Sequence, residues 1–387
     1  MIYVSTSVKY VGTDDDNLDL FEAQYPLTKG ISYNSYVISD EKTAVVDAVD
    51  SRRCREWMAN LDYTLRGETP EYLIVHHLEP DHSGSILEFV RRYPEARIVA
   101  SAKAVAMLGN FFPGENLSAK CMAVKEADTL CLGKTTLSFI MAPMVHWPEV
   151  MMTFVEGEGV LFSADAFGTF ATPSATEPWD DEARRYYCNI VGKYGANVRA
   201  VLKKLAGKDI RVIAPLHGPM LSENLRHYID LYHKWSGYEP ETEGVLVAYA
   251  SVYGGTAEAA RRTAAMLREA GVKEVVTMDL CRHDVSYAVA EAFRLSKMLL
   301  CSVTYNAGLF PPMYGFLHHL CDKNLRGRKV GLIENGSWAP LAGKLMHDAL
   351  VRMKDMTVVG DVVTIRSRAT AADYEAMRAL AAALAAQ

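Results

Sequence analysis

Between Val75 and Gly84 the chain reads Val-His-His-Leu-Glu-Pro-Asp-His-Ser-Gly. Four potential metal ligands, His77, Glu79, Asp81 and His82, fall within six positions. They follow the run Tyr72–His76, which reads as a buried strand, so they stand where the chain leaves a sheet. Imidazole and carboxylate at this density are the chemistry of a divalent-cation site. In an extended loop, alternation sends His77, Glu79 and Asp81 to one side, where one or two ions could meet them. Pro80 removes one backbone donor and stiffens the turn. A lone His or Asp would be structural, but burying this many unpaired groups is costly, and packing alone does not explain the run. His76 is assigned to packing.

Three more groups sit at the exits of apolar runs: His146 after Ala142–Val145, Asp165 after Val160–Ala164 and His217 after Val212–Leu216. Singly, each could satisfy backbone groups; four exits of one character make a set. The seven cysteines are scattered and never form C-x-x-C. Neither a disulfide framework nor a thiolate-bound metal is expected, and each cysteine reads as a small buried apolar side chain.

A second constellation begins at Tyr249-Ala250-Ser251-Val252-Tyr253-Gly254-Gly255-Thr256, which closes an aliphatic run and opens a helix-like segment. Hydroxyls at Ser251 and Thr256, with Gly254 and Gly255 between them, allow backbone N–H groups to wrap a phosphate at a helix N-terminus. The loops Ser302–Pro312 and Glu334–Pro340 follow two later strands. In a doubly wound sheet all three loops lie at the carboxyl ends of strands, where ligands bind. No G-x-G-x-x-G occurs, which disfavours a resident NAD.

The elements that must position these residues divide near Ser236–Gly244, a polar stretch with Gly and Pro. Downstream, strands are expected at Val245–Ala250, Val275–Asp279, Met298–Ser302, Val330–Ile333 and Val358–Thr364. Helices are expected at Thr256–Ala270, Met313–Cys321, Leu341–Met353 and Ala371–Ala386. This alternation predicts an open five-stranded parallel sheet. Upstream, strands are expected at Ser32–Ser39, Thr43–Asp47, Tyr72–His76, Arg97–Ser101, Thr135–Met141, Met151–Val155 and Val160–Ser163. Helices fall at Arg52–Leu61, Ser85–Arg92, Lys103–Phe111, Asp181–Leu205 and Glu223–Trp235, a mixed α/β pattern of packed sheets with helices outside. The 387 residues thus read as two domains, 1–240 and 245–387. With 50% hydrophobic and 23% charged residues and a net charge of −6, the chain is neither disordered nor a broad basic surface for nucleic acid. No apolar run is long enough to span a membrane, and the N-terminus lacks the order of a signal peptide, so a cytoplasmic location is expected.

The H-x-E-x-D-H run, His146, Asp165 and His217, together with Ala142–Trp147 (APMVHW) and Leu161–Gly168 (LFSADAFG), resemble the metallo-β-lactamase fold in its flavodiiron variant. Hydrolases of that fold carry H-x-H-x-D-H with zinc; Glu79 stands where they have the second His. The exchange makes the set oxygen-rich, which suits redox-active iron. Ser251–Thr256 resembles the flavodoxin phosphate loop, S-x-Y-G-x-T, and the resemblance covers essentially the whole chain.

The resemblance implies an αββα sandwich followed by a flavodoxin-like doubly wound domain. His77, Glu79 and His146 would bind one iron, and Asp81 and His217 the other, with Asp165 bridging and His82 supporting from behind. Tyr25, Trp147 and Tyr194 would line the substrate pocket. FMN would rest on Ser251, Val252, Tyr253, Gly254, Gly255 and Thr256. Its isoalloxazine would be bordered by Thr304, Tyr305, Asn306, Gly308, Gly336, Ser337 and Trp338. The implied activity is reduction of O2 to water and/or NO to N2O, with electrons passed through FMN from an external donor. Because the sequence lacks a C-x-x-C pair, that donor would be a separate rubredoxin or similar carrier. A head-to-tail homodimer would bring the FMN of one subunit to the iron of the other. The alternative is a zinc hydrolase fused to a flavodoxin-like module, against which Glu79 argues.

Overall fold

The computed structural model describes residues 2–174 and 178–386. The chain divides into two compact units, Met1–Tyr187 with Ala196–His233, and Cys188–Gly195 with Lys234–Gln387.

The first unit is built on two sheets. In one, seven strands run in the order Ile2–Tyr3, Val8–Tyr10, Tyr36–Ile38, Ala44–Val46, Tyr72–Val75, Arg97–Ser101, Cys121–Val124, the last four mutually parallel. In the other, the order is Thr129–Cys131, Thr136–Met141, Met151–Val155, Val160–Phe162, Val212–Ala214. Their facing side chains form a common core: Ile38, Val46, Ile74 and Val99 from the first sheet meet Leu137, Phe139, Val155 and Phe162 from the second. Truncating Phe139 to Ala in such a packed layer costs roughly 3–5 kcal/mol. The alternate residues Val45, Leu73 and Ile98 are buried too, because helices supply Trp57, Leu61, Phe89 and Leu108 on the outer side. This is a metallo-β-lactamase-like arrangement.

Strand direction places the exits. Thr136–Met141 and Val160–Phe162 are both antiparallel to Met151–Val155, and Val212–Ala214 is parallel to Val160–Phe162. The segments leading to His146, Asp165 and His217 therefore leave one end of the second sheet together.

The second unit is a parallel sheet in the order Val275–Asp279, Thr242–Ala250, Leu295–Tyr305, Lys329–Asn335, with Thr357–Val358 and Val363–Ile365 sharing the last edge. In strand terms this is the order 2-1-3-4-5 of the flavodoxin-like class. Val247, Tyr249, Leu299 and Ile333 pack against the helices Gly255–Glu269 and Ala371–Ala385. Leu246, Ala248 and Leu300, also buried, point the other way.

Several elements depart from the sequence reading. Val358–Thr364 is not one strand: Gly360, at φ 68, interrupts it. Ser32–Ser39 is likewise two strands, Ile31–Tyr33 and Tyr36–Ile38, in different sheets. Between them Asn34 turns to the loop carrying His217: its N–H donates to Leu216 O at 2.8 Å and its side-chain Nδ2 to Pro215 O at 2.8 Å. The helix expected over Asp181–Leu205 is Trp179–Tyr186 and Gly195–Leu205, with a wide turn Tyr187–Val191 and a tight one Gly192–Tyr194 between. The helix Val285–Arg294, capped by Asp284, has no counterpart in that reading. Of the seven cysteines, all free, Cys131, Cys281 and Cys321 are exposed rather than buried. Among the described residues no helix is long and apolar enough to cross a membrane.

Candidate metal centre

The extended loop expected after the strand ending at Val75 stops at Glu79. Pro80 sits at the first position of a helical turn, Pro80–Ser83, where its missing N–H costs nothing. Alternation therefore does not carry Asp81 alongside His77 and Glu79. The turn swings Asp81 and His82 toward a neighbouring cluster.

Two groups of ligand atoms result: His77, Glu79, His146 and Asp165 in one, and Asp81, His82 and His217 in the other, the atoms of each group lying within 4.8 Å of one another. Glu79 Oε2 is 3.1 Å from both His77 Nε2 and His146 Nε2. Asp165 spans the groups. Its Oδ2 lies 3.3 Å from His77 Nε2 and 3.2 Å from His146 Nε2, while its Oδ1 lies 3.3 Å from His82 Nε2 and 3.8 Å from His217 Nε2. Asp81 Oδ2 is 3.2 Å from His217 Nε2 and 3.3 Å from His82 Nε2. His82, expected behind the ligands, thus presents Nε2 among them.

The imidazoles are aimed from behind. His77 Nδ1 pairs with Glu149 Oε1 at 2.8 Å, and that oxygen also accepts Leu78 N at 3.0 Å. His217 Nδ1 pairs with the Ser32 carbonyl at 2.7 Å. A carbonyl only accepts, so His217 carries its proton on Nδ1 and turns the Nε2 lone pair inward. Gly218, at φ 81, lets its own N–H reach Ser32 Oγ at 2.7 Å, and a Cβ there would lie 2.2 Å from the Thr169 methyl. His76 is packing, as expected, held between Asp47 and Thr153.

The electrostatics are those of a cation site. Burial pushes the His146 imidazole down, but its hydrogen bonds to the Asp165 and Glu79 carboxylates outweigh this and bring the group up to about 9. His77 is raised in the same way by Asp165, Glu149 and Glu79. Burial raises Asp165 and Glu79, yet the surrounding imidazoles hold both well below the usual carboxylate range. Among the described residues, both oxygens of Asp81 and Oδ1 of Asp165 are buried with no hydrogen-bond donor in geometry. Buried carboxylate oxygens without donors are what a bound cation satisfies.

Aromatic rings wall the clusters. Trp147 meets His77 edge-on at 5.0 Å, Phe21 meets His217 at 5.3 Å, and Tyr186 lies 5.7 Å from His217. Tyr25 is one ring removed, against Phe170 at 5.6 Å. Tyr194 falls in the tight turn of the segment assigned to the second unit, and the tyrosine beside His217 is Tyr186. Glu22, also missed, lines a 440 Å³ cavity with Glu79, Asp81, Tyr33 and Arg52. Desolvation at the cavity wall, then the Glu79 carboxylate, push Glu22 up to about 7.

In the second unit a 640 Å³ cavity is lined by residues of three expected loops, Ser251–Thr256, Val303–Ala307 and Asn335–Ala339, and additionally by Ser367 and Arg368. That volume suits a small-molecule site. Gly254 and Gly308 are outside the lining: Gly254, at φ 90, caps the helix, and Gly308 pairs with Tyr305. Thr304 Oγ1 accepts Leu341 N at 2.8 Å, so its hydroxyl holds the start of the helix Ala342–Leu350. Trp338 and Tyr253 are 82% and 97% exposed, leaving aromatic faces for a planar ring. The Ser302 hydroxyl, at the strand end beside Ala250, is buried without a partner.

Residues 31–218 match the family described as ODP family beta lactamase. The chain is 29% identical over 373 residues to the anaerobic nitric oxide reductase flavorubredoxin of Aliivibrio fischeri, covering 93% of this chain and 74% of that protein. Rubredoxin oxygen:oxidoreductase from Desulfovibrio gigas superposes with a TM-score of 0.91 at 26% identity, covering 99% of this chain and 97% of that one. Over nearly its whole length the chain is thus similar to flavodiiron proteins. A flavodiiron protein from Giardia intestinalis shares the fold over 99% of this chain and 95% of its own, with a TM-score of 0.92 at 24% identity. The chain has both halves in the order that the two sequence constellations implied.

Proposed function

We propose that this chain is a flavodiiron protein that uses FMN and two iron ions to reduce dioxygen, nitric oxide or both, with electrons delivered by rubredoxin or a similar small carrier. The observation that carries the reading is the division of one carboxylate, Asp165, between two imidazole clusters, Oδ2 toward His77 and His146 and Oδ1 toward His82 and His217.

In this reading His77, Glu79 and His146 hold one iron, and Asp81 and His217 the other, with Asp165 shared. The position of His82 Nε2 supports a second imidazole, beside His217, at the second iron. Three carboxylates offset most of the charge of two ferrous ions, which makes a buried pair tolerable. Bound at their sites, FMN and the iron pair could supply four electrons, the number dioxygen needs to become water, or two for coupling two nitric oxide molecules. The residues of this chain fix geometry and exclude water: Glu149 and the Ser32 carbonyl orient imidazoles, and Phe21, Trp147 and Tyr186 keep the pocket dry. The names of the Aliivibrio and Desulfovibrio relatives support the two gases and the rubredoxin donor.

The test is purification with metal and flavin quantified, anaerobic reduction, and separate exposure to each gas with reoxidation followed optically. Two irons and one FMN per chain, with rapid reoxidation by at least one gas, are expected. A colourless protein containing zinc would overturn the reading in favour of a hydrolase.

A further inference from the structure

The phosphate-loop cavity has a wall that the sequence motifs do not contain. Ser367 and Arg368, in the segment after the last strand, line it together with Ser251–Thr256. The segment is held in place from two sides. Asn335 grips the backbone of Ser367, its Nδ2 donating to Ser367 O at 3.0 Å and its Oδ1 accepting Ser367 N at 2.9 Å. The Ser367 carbonyl rests on the phosphate loop itself, since a Cβ on Gly255 would lie 2.2 Å from it. Ser367 adopts φ 65, a conformation most side chains avoid, and the two Asn335 contacts account for its being kept there.

This clamp sets Arg368 over the start of the helix Gly255–Glu269. Its Nη1 lies 3.7 Å from Oε2 of Glu258, the acidic residue of that helix's first turn. The helix N-terminus favours an anion, but a carboxylate in its first turn works against a phosphate dianion. A guanidinium offsets that carboxylate and brings a fork of donors suited to phosphate oxygens.

We propose that Arg368, positioned by Asn335 and Gly255, is the residue by which this protein selects a phosphorylated flavin over the same flavin without phosphate. The inference rests on the FMN reading above and adds a cationic contact to a loop otherwise made of hydroxyls and backbone.

The experiment uses the full chain stripped of flavin, titrated with FMN and, separately, with riboflavin, and followed by quenching of flavin fluorescence at two salt concentrations. Arg368→Gln is expected to weaken FMN about five- to tenfold, with riboflavin unchanged and a shallower salt dependence for FMN. Arg368→Lys, which keeps the charge and loses the fork, falls between. Because Arg368 is largely exposed, neither change threatens folding. Equal weakening of both flavins, or no change in their ratio, overturns the inference while leaving FMN as the cofactor. Failure of the unaltered protein to bind FMN overturns the flavin assignment and this inference with it.

Discussion

Glu149 Oε1 sits 2.8 Å from His77 Nδ1, and both side chains are fully buried. The same oxygen takes the Leu78 amide at 3.0 Å, so one carboxylate fixes both the ring and the backbone that carries it. His77 Nε2 is thereby aimed into the cluster with Glu79 and Asp165.

Glu149→Gln should therefore weaken metal binding without removing a ligand. The amide can still meet one partner but no longer carries the charge that strengthens the ring as a donor. Loss of such a supporting carboxylate weakens metal affinity on the order of 10–100-fold. Competition with a chelator of known affinity reads it directly, and affinity equal to that of the unaltered protein would show that Glu149 serves packing alone.

Asp165→Asn tests the sharing of one carboxylate. An amide cannot present two anionic oxygens, and its NH2 would face an imidazole group. Metal analysis after reconstitution should fall from two ions per chain to one or fewer, whereas His82→Ala, at the edge of one cluster, should lower the affinity of one ion only. Retention of two tightly held ions in Asp165→Asn would break the bridging assignment.

Metal loading should depend on pH with a definite sign. In the metal-free site His146 is raised to about 9 and so carries a proton at neutral pH, and His77 is raised in the same direction by Asp165, Glu149 and Glu79. A metal needs their lone pairs, and binding must release the protons they carry. Apparent affinity should rise with pH by up to about tenfold per unit for each proton displaced, flattening near pH 9. Stability of the metal-free protein runs the opposite way. Groups raised above an unfolded value of about 6.5 contribute fully below that pH, and the contribution is lost as pH rises through 9. The depressed Glu79 and Asp165 contribute above about pH 4 and lose their part on acidification. Melting of metal-free protein should accordingly be highest near pH 5–6.5 and decline toward pH 9. A flat melting profile together with pH-independent loading would contradict the ion-paired site.

Much of this site was legible in the sequence because strand exits concentrate polar groups that a sheet interior excludes. His77, Glu79, His146, Asp165 and His217 could each be named from the apolar run before them. Local geometry was not legible. Pro80 reads as a loop stiffener, yet at the first position of a helical turn it redirects Asp81 and His82. Tyr186, which lies beside His217, was not singled out in the sequence: one helix was read over Asp181–Leu205, whereas it divides into Trp179–Tyr186 and Gly195–Leu205. Arg368 carries no motif: its place depends on Asn335 and Gly255, partners distant in the chain that only the fold brings together. In the sheets, the interior strands Arg97–Ser101 and Met151–Val155 fell where periodicity put them. The short edge strands Ile2–Tyr3 and Thr129–Cys131 bury too little to leave a pattern.

The head-to-tail dimer implied by the family resemblance makes a prediction that activity alone can decide. A variant lacking metal, His77→Ala with Asp165→Ala, should be inactive, as should one with its flavin loop disrupted, Gly255→Val, where a side chain would strike the Ser367 carbonyl. If each catalytic unit takes flavin from one copy and iron from the other, mixed dimers of the two contain one intact pair. Refolding or coexpressing them together should then restore about a quarter of the wild-type turnover per chain, because half of the dimers are mixed and each has one working site of two. If flavin and iron of the same copy cooperate, every mixed dimer holds two half-sites and no activity returns. Tagging each variant differently and assaying the doubly purified species separates this outcome from failure to exchange subunits, and an inactive mixed dimer with both cofactors present would exclude the head-to-tail arrangement.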